Sequence, residues 1–247
     1  MASLRAVAAL EVMRVMRRPF AWFVLALGVL AMALFYLLFV VRYLEQAQAL
    51  AAQGVTSEVV VRYFGAAALM SLLLTPLLTM HTCVAERRDG MLAFFFTQPL
   101  TTSAILGGKL CGVLVLLGAF WLALGLMPIT LVWGAELDFG VYATNLLGLA
   151  LFMLAHASLG LMCSALMRQP VAAGVLALSL SLALWFADWA QRLDAHASLF
   201  GGISSVARLR GFALGLVMSA DVAYFLLATC VCLALAHWAL EGQRRYA

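Results

Sequence analysis

Six uncharged apolar runs constrain this chain more than any other feature. Ala21 to Val41 has 21 residues and no charge. As an α-helix it measures about 31 Å, against a bilayer hydrocarbon core of about 30 Å. Further runs cover 63–85, 110–133, 141–167, 171–187 and 222–240. Backbone in lipid must satisfy its own hydrogen bonds, so such runs read as spanning helices. The expected fold is an all-α membrane protein with six transmembrane helices. The first run is too long for a secretory-signal core of roughly 7–15 residues, so it reads as a retained span.

Only 11% of residues are charged, against about 25% in soluble proteins, so no sizeable water-facing domain is expected. One membrane domain over 1–247 follows. The net charge of +4 is too small and scattered for a nucleic-acid surface. The basic residues divide unevenly about six spans. Arg5, Arg14, Arg17, Arg18, Arg87, Arg88, Lys109, Arg168, Arg244 and Arg245 fall on one side, and Arg42, Arg62, Arg192, Arg208 and Arg210 on the other. The positive-inside rule puts the richer side, with both termini, in the cytoplasm.

Outside the runs, three stretches carry a pattern of their own. Residues 1–18 carry four arginines beside Leu4, Val7, Leu10, Met13 and Met16, the pattern of an amphipathic interfacial helix. Residues 86–109 open with Glu86, Arg87, Arg88 and Asp89, then Gly90 and the apolar Met91 to Phe96. Thr97, Gln98 and Pro99 break that run. A second short segment starts at Thr101 or Thr102 and ends at Gly107, Gly108 and Lys109. Two short helices on the cytoplasmic membrane face are expected, turning at Gln98-Pro99, since Pro disfavours helix before it and Thr suits an N-cap. Residues 188–221 are partly apolar but contain Gly201-Gly202, Arg208 and Arg210. Two arginines at mid-bilayer would cost roughly 2.5–3.5 kcal/mol each. External helices dipping in from one face are therefore expected there.

Inside the spans, Thr75-Pro76 should kink the second. His156 is an ionisable group within the fourth, where it either hydrogen-bonds between helices or meets a substrate. Asp188 closes the fifth. Gly108 with Gly112, and Gly211 with Gly215, have the small-xxx-small spacing of close helix packing. The five cysteines lie in or beside apolar spans and read as packing residues, and no zinc-ligand spacing is present. Gly107-Gly108-Lys109 is too short to cradle phosphates, so no nucleotide site is encoded.

Two motifs carry a resemblance. The first is Glu86-Arg87-Arg88-Asp89-Gly90-Met91-Leu92 with Thr97-Gln98-Pro99-Leu100 and Ile105-Leu106-Gly107-Gly108-Lys109. The second is Arg210-Gly211 with Asp221-Val222-Ala223-Tyr224-Phe225. Together with the span count they resemble permease subunits of the type-2 family of ATP-binding-cassette exporters, in the branch of gliding-motility and nitrous-oxide-reductase accessory permeases. Met91 departs from the usual Thr, and Ala93 to Phe96 is bulkier and lacks the usual acidic residue.

The resemblance implies a multi-pass protein of the inner membrane whose residues 86–109 couple to a separate cytoplasmic ATPase. Glu86, Arg87, Arg88, Asp89, Gly90, Thr97, Pro99, Leu100 and Thr101 would form that contact. ATP and Mg would be bound by the partner, not by this chain, which would not be an enzyme. A second permease subunit, identical or related, would complete the pathway. Two functions stay open: export of a substrate, or transmission of the ATPase stroke to an external or membrane partner through residues 188–221. A membrane-embedded enzyme would need clustered acids, bases or metal ligands. A secondary transporter would need mid-span charged pairs. The sequence offers neither.

Overall fold

The computed structural model describes residues 2–17, 19–45, 54–84, 101–193 and 202–244, and no strand occurs among them. The helices are α1 (Ala2–Met16), α2 (Pro19–Glu45), α3 (Arg62–Thr79), α4 (Thr102–Ile129), α5 (Phe139–Leu166), α6 (Pro170–Leu193), α7 (Ser205–Ala213) and α8 (Ser219–Arg244). A π-helical turn, Thr56–Val61, leads into α3, and a 3-10 turn, Thr130–Trp133, continues α4. Six of these helices, all but α1 and α7, are long and apolar enough to cross a membrane.

Helix α5 is the centre of the bundle. Of its most apolar stretch 72% is buried, against 22% for α2 and 17% for α6 and α8. It packs on α8, α3, α6, α7 and α4. Small side chains make that possible. A Cβ on Gly160 would lie 2.1 Å from Thr79 Oγ1, and one on Gly148 would lie 2.8 Å from the Phe212 ring. Without a hydrophobic drive between helices in lipid, such close approach supplies the packing energy. The outward faces of α2, α6 and α8 carry exposed Leu27, Leu34, Phe186 and Leu227, as a lipid-facing surface does.

Local chemistry explains the helix limits. Pro19 opens α2, where its missing N–H costs nothing. Thr101, Asp138 and Ser204 are extended N-caps whose side chains accept backbone N–H groups of α4, α5 and α7. Met167 is extended (φ −89°, ψ 155°) and ends α5 ahead of Pro170. Pro128 near the end of α4 removes the donor that would meet the Leu124 carbonyl. The Tyr63 hydroxyl of α3 donates to that carbonyl at 3.1 Å. Pro76 lies inside α3, and Ser71, Thr75 and Thr79 donate to carbonyls four residues back along its buried face.

Several expectations are corrected. Helix α3 ends at Thr79 and turns follow over 80–83, inside the expected span 63–85. The third long helix starts at Thr102, not Leu110. The second short helix expected up to Lys109 is therefore the first two turns of α4. Gly211 and Gly215 both lie at close approaches of α7 to other helices: a Cβ would lie 2.7 Å from Asp221 Oδ2 of α8 at the first and 3.1 Å from Val141 Cγ2 of α5 at the second, and Gly215 has a further backbone role. Gly215 has φ +81° and closes α7: Leu216 N donates to Gly211 O at 2.9 Å, and Gly215 N to Phe212 O at 3.1 Å. This is a Schellman cap, which needs a residue tolerant of positive φ. Gly112 also supports close packing within the chain: a Cβ there would lie 3.4 Å from Val15 Cγ2 of α1.

Candidate functional site

Of the expected contact residues, Glu86, Arg87, Arg88, Asp89, Gly90, Thr97, Pro99 and Leu100 lie outside the described residues. Thr101 is described, as the N-cap of α4. What can be read is how the two ends of that stretch are held, and both are fastened to the bundle core.

On the leading side, the turn after α3 is tied to α5 and α4. Cys83 N donates to Ser164 Oγ at 3.0 Å, and Ser164 Oγ donates to Met80 O at 3.3 Å. Lys109 reaches in from α4 and donates to Thr82 O at 3.0 Å. Its ammonium also lies 3.3 Å from Glu11 Oε1 of α1. Both side chains are buried, Lys109 fully and Glu11 to 3% exposure. Arg14 adds a second cation 3.4 Å from the same oxygen. A buried ammonium needs a paired anion and filled donor sites, and this arrangement supplies a carboxylate and a carbonyl. On the trailing side, Thr102 Oγ1 donates to Glu241 Oε2 of α8 at 2.6 Å, and Gln243 donates to Ala165 O of α5 at 3.0 Å.

Sequence reasoning missed this cluster. The sequence places Lys109 at the end of a short helix on the membrane face, not in the core. Its partner Glu11 is 98 residues earlier. The available signal was a single acid among the arginines of residues 1–18. In α1 that acid faces the bundle, while Leu10, Met13 and Met16 are exposed.

A second set of polar groups holds α7. Arg208 pairs with Asp221 at 3.2 Å, and Arg210 pairs with Asp188. The two aspartates that bracket the 188–221 stretch thus neutralise the two arginines at its centre. A Cβ on Gly211 would lie 2.7 Å from Asp221 Oδ2, so the carboxylate requires glycine there. Tyr224 donates to Ile203 O, and the Arg208 guanidinium lies 5.6 Å from the Tyr224 ring centroid. Phe212 is buried against α5, where Thr144 and Asn145 donate to its carbonyl at 2.9 and 3.2 Å. The Arg210-Gly211 and Asp221-to-Phe225 motif residues therefore meet in space. A cleft of about 310 Å³ lies beside Arg210, lined also by Phe64, Asn145, Trp185 and Phe212.

His156 makes no interhelical hydrogen bond among the described residues. Its Nδ1 is 2.9 Å from Phe152 O, one turn earlier in α5, and its ring stacks on Phe152 at 3.9 Å. A neutral ring with Nδ1–H donated to that carbonyl leaves Nε2 as an acceptor, and Nε2 has no partner among the described residues. No family model matches the chain, and no curated protein matches it.

Proposed function

We propose that this chain is the membrane-spanning subunit of an ATP-driven export complex in the cytoplasmic (inner) membrane. A separate cytoplasmic ATPase, binding ATP and Mg, would grip residues 86–100. A second permease subunit would complete the assembly. The observation that carries this reading is the fastening of both ends of that stretch. A segment gripped by a partner passes on a displacement only if its ends are not slack. Here the leading end is bound through Thr82 to Lys109 and through Cys83 to Ser164. The trailing end is bound through Thr102 to Glu241. A push on the segment would therefore reach α1, α4, α5 and α8 together. The charged Glu86 to Asp89 beside Phe94 to Phe96 offers a partner both polar and apolar grips.

In this account ATP favours a closed ATPase pair because it binds that state more tightly, and the permease follows through the segment. The pathway would alternate between inward-facing and outward-facing or closed states.

Co-purification with the ATPase tests the reading. Wild type should retain the ATPase and alter its hydrolysis rate. Glu86→Ala/Arg87→Ala/Leu100→Asp should lose both effects while eluting as wild type does when purified alone. Absence of any associated ATPase with the wild-type chain would overturn it.

A further inference from the structure

A cavity of about 360 Å³ lies between α5, α6, α8 and the start of α7. Its volume is within the roughly 300–1,000 Å³ of small-molecule sites. The wall is largely apolar, including Leu159, Leu184, Phe225 and Val231. Four residues break that pattern, Tyr224, whose hydroxyl donates to Ile203 O, Cys232, His156 of α5 and Ser205 of α7, and the last two carry the unpaired atoms. His156 and Ser205 are 3% and 1% exposed, and each brings a polar atom with no hydrogen-bond partner among the described residues, Nε2 of His156 and Oγ of Ser205. Buried polar atoms are normally paired, so two orphans in one cavity call for an absent partner.

The chemistry of the pair limits what that partner is. With Nδ1–H committed to Phe152 O, Nε2 only accepts, whereas the serine hydroxyl donates or accepts. A wall that offers an acceptor and a donor suits a hydroxyl group, which can both donate and accept. An anion would face the Nε2 lone pair, and a cation would sit desolvated without a counter-charge. The route in is also readable. Leu227 and Val231 of α8 line the cavity and are 64% and 56% exposed, on a flank that is otherwise apolar. The opening is thus sideways, toward the hydrocarbon.

We propose that this cavity binds a membrane-dissolved, uncharged amphiphile with a hydroxyl head, the hydroxyl pairing with His156 Nε2 or Ser205 Oγ and the chain leaving past Leu227 and Val231. The site sits at the buried N-terminal end of α7, the element pinned by Arg208–Asp221 and Arg210–Asp188. It does not depend on an ATPase, and its test uses none.

The test uses the purified chain in phosphatidylcholine nanodiscs with a long-chain 1-alkanol carrying a diazirine in the chain. Labelling should map to residues 155–159, 203–205 and 224–232. Unlabelled alcohol should compete, and its methyl ether, which cannot donate, should compete about three- to tenfold less well. At least one of Ser205→Ala and His156→Phe should lower labelling about three- to tenfold. Val231→Trp should abolish labelling by closing the mouth without touching either polar atom. An ether that competes as well as the alcohol overturns the proposal, as does labelling confined to other residues. The alcohol–ether comparison uses wild type alone, so a variant that fails to fold leaves the test intact.

Discussion

Replacing Lys109 with Met probes the most costly interaction in the bundle. With an effective dielectric of about 20, charges 3.3 Å apart attract by about 5 kcal/mol. Desolvating two ions costs several kcal/mol each, so the intact pair is near break-even with an apolar pair of the same volume. Removing one partner is different, because the desolvation of the other remains. Lys109→Met leaves the Glu11 carboxylate, at 3% exposure, to the partly exposed Arg14 3.4 Å away and takes the Nζ donor from Thr82 O. The expected loss is about 3–5 kcal/mol, and Glu11→Leu should lose a similar amount. For a chain of this length that is roughly 6–20 °C in Tm, at about 2–4 °C per kcal/mol. The double variant Glu11→Leu/Lys109→Met should return to within about 1 kcal/mol of wild type, because it removes both buried charges. Thermal unfolding by intrinsic tryptophan fluorescence in detergent reads all four proteins. A Lys109→Met change under about 1 kcal/mol, or a double variant no better than the singles, would refute the pairing.

Other substitutions test the packing and the proline repair. Tyr63→Phe should cost about 1–3 kcal/mol by leaving Leu124 O unmet, and Pro128→Ala in the same chain should shrink that cost by restoring an N–H donor; a cost unchanged by Pro128→Ala would break the link. Gly160→Val should lower the yield of monodisperse protein and cost at least about 1–3 kcal/mol, since its Cβ would lie 2.1 Å from Thr79 Oγ1; wild-type behaviour on size exclusion would contradict the α3–α5 contact. Gly215→Ala should cost about 1–2 kcal/mol because φ is +81°, whereas Gly65→Ala, in helix with nothing within 4 Å, should gain about 0.5–1 kcal/mol; equal Tm shifts would count against the capped turn.

The six long helices were legible because span length and lack of charge are local properties of sequence. Thr101 as a helix start was legible for the same reason, through its capping chemistry. The polar pairs were not. Arg208 and Arg210 were read as too costly for mid-bilayer without identifying Asp221 and Asp188 as their partners, 13 and 22 residues away. Lys109 reads in the sequence as the end of a short helix on the membrane face. Its burial depends on α1 folding back onto the glycine face of α4, a tertiary event with no local signature. At Gly215 the four-residue glycine spacing signals the close approach to Val141 but not the positive φ that the backbone also needs there. His156 stands out in the sequence as an ionisable residue within an apolar run, but the sequence does not show its partner. Its hydrogen bond runs to its own helix, which frees the second nitrogen.

Helix α7 depends on its two ion pairs. Helix α7 has nine residues, too few to be stable alone, and its N-cap Ser204 is fully buried. Phe212 on Gly148 holds one end against α5, and the Arg–Asp pairs tether it to α6 and α8. That leaves the start of α7 facing the His156 cavity.

The most direct test of the central claim places a photo-crosslinking phenylalanine analogue at Phe95 in the chain co-expressed with its ATPase, and at Trp133 as the control. Trp133 is 93% exposed at the far end of α4. The account predicts an ultraviolet-dependent crosslink from position 95 to the ATPase subunit and none from position 133. Crosslinks from position 95 to lipid alone, or equal ATPase crosslinks from both positions, would contradict it.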